Sequence, residues 1–252
     1  MNRKKRKESI PIQLLIVLIG FSVFFGLLIG NNVNAADPQS PDILNVTSNT
    51  TKPAPTAQMV NVSGGRVVHM NLTASTQNPR WKAFIGHVIG KFTLQDSSGA
   101  EIYDWTLSSN TGRVYATRNT SSPNWTAVNC SNLTHLNTEN SNLEHTNVND
   151  NLTITFNVTA TATHAAFYVG GVYINANSCP TLNTYKNNAS QDDDFEEVAL
   201  YDNHNVFFAA ILENDMQGYD SLDYDFQMIV PENGNSSKSV STAYYIYVEV
   251  GT

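Results

Sequence analysis

Only two of the 252 residues are cysteine, and only 14% carry a charged side chain. Cys130 and Cys179 have no histidine cluster near them, which argues against a structural zinc site built on thiolates. The six histidines, His69, His87, His135, His145, His164 and His204, form neither a His-x-His nor a His-Glu-x-x-His arrangement. No Gly-x-Ser-x-Gly elbow occurs, so a hydrolase triad has no anchor. Basic residues are also scarce: 14 Lys and Arg stand against 22 Asp and Glu, and none falls between Asn187 and Ser237, where there are twelve acids. An acidic body of this kind repels nucleic acid and excludes that class of partner.

Cations that are present concentrate at the start. Arg3 to Lys7 reads RKKRK, an apolar run extends from Ile12 to Ile29, and Val33-Asn34-Ala35 supplies small-residue cleavage chemistry. This pattern predicts export. The run approaches the length that spans a bilayer, so a cleaved signal peptide over 1–35 and an uncleaved signal-anchor helix both fit it. Either way the cations stay in the cytoplasm and the rest lies outside. Without residues 1–35 the body keeps 9 basic and 21 acidic residues, a net charge of −12. Outside the cell the isolated Cys130 and Cys179 are expected to form one disulfide. Residues 36–58, rich in Pro, Ser, Thr and Asn and without period, read as a flexible linker or stalk. Residues 59–252 suit a single domain.

Side chains on a strand alternate faces. In Phe84 to Gln95 the even positions Phe84, Gly86, Val88, Gly90, Phe92 and Leu94 are apolar or bare, which predicts a half-buried strand with that face inward. Asp96-Ser97-Ser98-Gly99 has turn chemistry, and Glu101 to Leu107 resumes the alternation. A hairpin over Trp81–Leu107 follows, with Gly86 and Gly90 as notches for a bulky ring such as a Trp. Further strands are expected at Val67–Leu72, Gly112–Arg118, Leu152–Val158, Ala165–Ile174 (with a bulge or bend at Gly170-Gly171), Val198–Tyr201, Val206–Leu212, Tyr224–Val230 and Thr242–Val250. Leu133, Leu136, Asn140 and Leu143 have helical spacing and predict one short helix. The fold class is therefore all-β, a two-sheet antiparallel β-sandwich with one short helix, preceded by the signal or anchor helix and a disordered stalk.

Asn-x-Ser/Thr sequons begin at Asn45, Asn49, Asn61, Asn71, Asn119, Asn124, Asn129, Asn132, Asn151, Asn157, Asn188 and Asn235. Composition alone would give about five or six. All twelve follow the export segment. The excess predicts N-glycosylation, and a bulky glycan requires each occupied asparagine to face water.

Two acidic groups stand out: Asp192, Asp194 and Glu196 at alternate positions, then Asp215, Asp220, Asp223 and Asp225 in a Gly-containing loop. Calcium takes six to eight oxygens, which these acids could supply, although the spacing is not that of an EF-hand. A solvated acidic face is the plainer reading of such runs. Paired carboxylates across a cleft could also hydrolyse a glycosidic bond, but no sequence spacing fixes their separation. Trp81, Trp105, Trp125, Tyr244, Tyr245 and Tyr247 could offer stacking faces to sugar, or simply fill a core.

Several of these stretches together resemble a group of secreted archaeal surface proteins. The shared features are Trp81-x-x-Phe84-x-Gly86-x-Val88-x-Gly90, Asp96-x-x-Gly99 running to Trp105, Gly112-Arg113-Val114-Tyr115-Ala116, Tyr224-Asp225-Phe226-Gln227-Met228 and the Tyr-rich last strand. The resemblance implies a location at the cell surface and carries no activity with it. The sequence thus predicts a non-enzymatic, heavily glycosylated extracellular protein, anchored by its N-terminal helix if that helix is retained. Its role would be structural, filament-forming or adhesive, with envelope or other surface proteins as partners. Alternatives are a polysaccharide- or calcium-binding module without other cofactor, and a secreted glycoside hydrolase.

Overall fold

A computed structural model describes residues 36–107, 109, 111–156, 162–234 and 241–251. Residues 1–35, expected to direct export, together with Val158 and the sequon asparagines Asn157 and Asn235, lie outside the described residues. Among the described residues no helix is long and apolar enough to cross a membrane.

The body is mostly β. In chain order the strands are β1 (Trp81–Gly86), β2 (Lys91–Gln95), β3 (Glu101–Thr106), β4 (Gly112–Thr117), β5 (Asn129–Cys130), β6 (Phe167–Val169) and β7 (Val172–Ile174). They continue as β8 (Thr181–Asn183), β9 (Glu196–Tyr201), β10 (Val206–Ile211), β11 (Met216–Gln217), β12 (Asp223–Tyr224), β13 (Phe226–Pro231) and β14 (Tyr245–Val250). Two helices, α1 (Leu133–Asn142) and α2 (Leu152–Thr155), fall between β5 and β6.

The centre is an antiparallel sheet in the order β14-β4-β10-β9-β5, with β8 sharing the edge of β9. Its two middle strands read RVYA and VFFAAI, runs with few polar side chains. Such strands suit a sheet covered on both faces. One face carries Val114, Ala116, Ala199, Phe208 and Ala210 under Met228 and Val230 of β13, Leu136 of α1 and Leu152 of α2. The other carries Tyr115, Val198, Leu200, Phe207 and Ala209 under Trp125, Phe167, Val169 and Ile174. Burying each of these phenyl rings contributes about 2–3 kcal/mol. The last strand keeps the expected alternation: Tyr244, Ile246 and Val248 turn to the first face, and Tyr247 to the second.

The sandwich-like core is therefore built around β4 and β10 rather than the Trp81–Leu107 hairpin. That stretch breaks in two at residues 87–90. Its first part, β1, pairs with β13 from Trp81↔Pro231 to Gly86↔Phe226 and lies over the first face. Phe84 and Val88 pack there as the parity predicts. The second part, β2, pairs with β3 as a separate ribbon in which Phe92 is 46% and Leu94 53% exposed. Asp96 makes the predicted turn, its carboxylate accepting the Ser98 and Ala100 amides at 2.8 and 3.0 Å. No Trp occupies the glycine notches. A Cβ on Gly86 would meet the Phe226 ring at 3.5 Å, and one on Gly90 would press on Leu107 and Val250 at 2.9 and 3.1 Å.

Other expectations also change. Val67–Leu72 forms no strand, and its Val67 and Leu72 are 88% and 85% exposed; β-propensity without a partner strand stabilises nothing. Leu152–Thr155 is helical because the Asn151 side chain accepts the Ile154 amide at 3.0 Å, which starts a helix rather than a strand. A second helix thus joins the predicted one. Ala165–Ile174 is not one strand but the β6–β7 hairpin, reversed at Gly170-Gly171 with Gly170 at φ +53°. Residues 36–80 contain no strand or helix. Within them Gln39 exchanges two backbone hydrogen bonds with Val248, at 3.0 and 2.7 Å, on the outer edge of β14.

Candidate functional site

The polar groups that converge most closely do so where β1 ends. Gly86 accepts the Asp225 amide at 2.9 Å, which brings the β12–β13 junction against the 87–88 corner. The Asp225 side chain is buried there and returns two bonds: Oδ2 accepts the Val88 amide at 2.7 Å and Oδ1 the Asp215 amide at 3.1 Å. Asp215 reaches this position on a left-handed residue, φ 50°, immediately before β11. His87, facing outward as the strand parity requires, places Nδ1 3.7 Å from Asp215 Oδ1 and 4.0 Å from Asp225 Oδ2. The Tyr224 ring lies 5.8 Å from the imidazole. His87 and Asp215 are open to water; Asp225 is not.

The remaining candidate acids go elsewhere. Asp194 is tied to Lys186 at 2.7 Å. Glu196 is buried and accepts the Ala165 amide at 2.9 Å; burial pushes its carboxyl up to about 7, and the charges of Glu213 and Asp194 add to that. Glu213, which accepts the Phe195 amide, is raised mainly by burial as well. Asp220 accepts the Tyr224 hydroxyl at 3.1 Å, and Asp223 is exposed. Asp192 lines a shallow open depression with Thr155, Thr181, Asn183 and Gln191. The seven acids therefore do not form one oxygen cage; Asp215 and Asp225 meet, in the company of a histidine.

Glu197 is a member that strand alternation hides. It lies wholly inside, accepts the Ile229 amide at 2.8 Å, and burial holds its carboxyl well above the usual range. It joins the central sheet to the β1–β13 pair.

Most candidate aromatics are structural. Trp81 packs on His145 and Phe156, Trp125 on Tyr115, Phe207 and Tyr247, and the Tyr244 hydroxyl donates to the Pro231 carbonyl at 2.7 Å. Trp105 is different. It stands edge-on to Tyr103 at 4.9 Å on the same face of the ribbon as Phe92 and Leu94, with half its surface in water. The opposite face carries the Lys91–Glu101 and Lys91–Asp104 pairs.

Cys130 and Cys179 form the expected disulfide. Of the ten described sequon asparagines, Asn45, Asn49, Asn61, Asn71, Asn124, Asn129, Asn132 and Asn188 are exposed and Asn119 and Asn151 partly so; none is buried. Asn71 lies in irregular chain and Asn151 caps α2, so neither sits on the strand expected for it.

Sequence reasoning missed the company His87 keeps, because Asp215 is 128 positions away and no local spacing links them. The usable signal was a histidine on the outward face of a strand that otherwise reads apolar. No protein-family model, curated protein or solved structure matches this chain.

Proposed function

We propose that this chain is an exported, N-glycosylated protein of the cell surface with a structural role in an envelope, filament or adhesive contact. In this reading the N-terminal apolar helix directs export, residues 36–58 space the body from the membrane or envelope, and a two-layer β-sandwich is the sugar-coated ectodomain. One observation carries it: every described sequon asparagine is exposed or partly exposed, from the irregular 36–80 segment to the loops, helix caps and short strand β5 of the body. That is the placement glycans require, for an acceptor set about twice as large as composition predicts. The exposed apolar face of the β2–β3 ribbon supplies a contact surface, since exposed apolar patches mark interaction sites.

Intact mass spectrometry of native material, before and after enzymatic deglycosylation, tests the proposal. The expected result is a heterogeneous mass excess that collapses on deglycosylation. A single unmodified mass overturns it.

The Tyr103–Trp105 pair favours a second reading, a polysaccharide-binding module. Exposed aromatic rings with a polar tip suit contacts that are apolar on one side and wet on the other. On a glycan array, retained ligands that Trp105→Ala releases support this reading. An array without retained ligands leaves the scaffold role.

A further inference from the structure

His87 Nδ1 stands 3.7 Å from one carboxylate oxygen and 4.0 Å from another. Both gaps are too wide for an N–H···O hydrogen bond, which needs roughly 2.7–3.2 Å. They are close to the separation of two ligands on one tetrahedral metal ion, since bonds of about 2.1 Å place such atoms about 3.4 Å apart. All three donor atoms lie within 4.8 Å of one another. We propose that His87, Asp215 and Asp225 form a binding site for a divalent first-row transition cation, with zinc as its representative.

Donor chemistry selects the class. Calcium and magnesium take oxygen ligands, and calcium wants six to eight of them. This corner offers two carboxylates and an imidazole, a set that suits zinc and its neighbours. Of the other candidate acids, Asp194 pairs with Lys186 and Asp220 accepts the Tyr224 hydroxyl.

The carboxylate at the back of the site is already aimed. Asp225 receives the Val88 and Asp215 amides on its two oxygens. This backbone support does for Asp225 what outer hydrogen bonds do for metal-bound carboxylates generally. His87 and Asp215 are 52% and 69% exposed, which leaves solvent to fill the remaining positions and gives the ion a way in. All pairs of donor atoms lie within 4.8 Å, so closing the site to the tetrahedral separation requires the exposed His87 and Asp215 side chains to move inward by at most about 1.4 Å.

Bound metal would join three segments: the end of β1, the turn before β11 and the junction of β12 with β13. It would thereby fix the base of the β2–β3 ribbon against the body. The site does not depend on the surface role.

Calorimetric titration of the full, untagged, chelator-stripped chain with zinc chloride and, separately, calcium chloride at neutral pH tests the proposal. Zinc should bind at one site per chain, and His87→Ala and Asp215→Asn should each weaken it by roughly tenfold or more. Both residues are exposed, so metal-free unfolding midpoints of the variants should match the parent and show that the fold is kept. Visible absorption of the cobalt-loaded chain, lost in His87→Ala, gives a second readout. Zinc binding that survives both substitutions, calcium binding without zinc binding, or no heat with either ion overturns the proposal.

Discussion

Glu196 is 8% exposed, and burial raises its carboxyl from the ordinary 4.5 to about 7, against the opposing pull of the Ala165 amide. The folded state therefore holds this proton more tightly than the unfolded chain does. Its contribution to stability is complete below pH 4.5 and is lost as pH rises toward 7. The full difference is worth about 3 kcal/mol. Glu196→Gln keeps an acceptor for Ala165 and cannot ionise. It should flatten the fall in unfolding free energy between pH 4.5 and about 7, read from urea midpoints. His164 slopes the other way. Its Nδ1–H donates to the Ala165 carbonyl at 2.7 Å, so Nε2 accepts the Ser178 and Cys179 amides, and burial lowers its affinity for a second proton. Stability from this neutral ring is lost as pH falls below 6.5, so the Glu196→Gln comparison isolates one slope from the other. Asn132 shows the same dependence on single atoms. Its Oδ1 caps α1 by accepting the His135 amide at 2.9 Å, while its Nδ2, the atom a glycan would take, lies 3.4 Å from His135 Nε2. Asn132→Gln should cost about 1 kcal/mol through the lost cap, whereas Thr134→Ala removes the sequon and should cost little. Thermal melts of both variants made without glycosylation decide this.

Phenylalanines on two strands meet different fates because the partners of those strands differ. Phe208 of β10 is 1% exposed between strands β4 and β9, and Phe92 of β2 is 46% exposed on a ribbon with one neighbour. Phe208→Ala should therefore cost about 3–5 kcal/mol, and Phe92→Ala, which gives up only a half-buried ring, about 1 kcal/mol. Chemical denaturation of the two variants checks the contrast, and equal costs would refute it. The same contrast explains what the sequence made legible. Alternation located β4 and gave the inward parity of Phe84 and Val88, apolar runs located β9 and β10, and β-branched and aromatic residues located β14, because those side chains meet neighbours on the pleated surface. It could not say that residues 87–90 would break the strand, since that break is imposed by Asp225, over a hundred positions away, accepting the Val88 amide. Nor could it choose helix over strand at Leu152–Thr155, where a single cap bond from Asn151 outweighs the β-branched Thr153, Ile154 and Thr155. The acids of 192–225 were legible as a cluster in sequence. Their division into a Lys186 pair, a Tyr224 partner and the His87 corner depends on tertiary contacts that spacing does not encode.

Over the whole molecule, the disulfide does more than join two loops. Cys130 belongs to β5 and Cys179 precedes β8, and both of these short strands pair with the same edge of β9. The 49-residue separation contains α1 and α2, which cover one face of the central sheet, and the β6–β7 hairpin, which covers the other. Strands of two and three residues hold β9 by few backbone bonds. The cross-link therefore keeps both covers in place from a single point. A loop of that size contributes about 4 kcal/mol by restricting the unfolded chain. The double variant Cys130→Ser with Cys179→Ser should lose about that much stability in urea, a large share of the 5–15 kcal/mol typical of a domain. Trp125 on one face and Phe156 on the other should then loosen together, so near-ultraviolet dichroism and far-ultraviolet dichroism should report the same lowered midpoint. If the helices melt well before the aromatic signal is lost, the two covers are independent, and the disulfide serves only the sheet edge at β5 and β8.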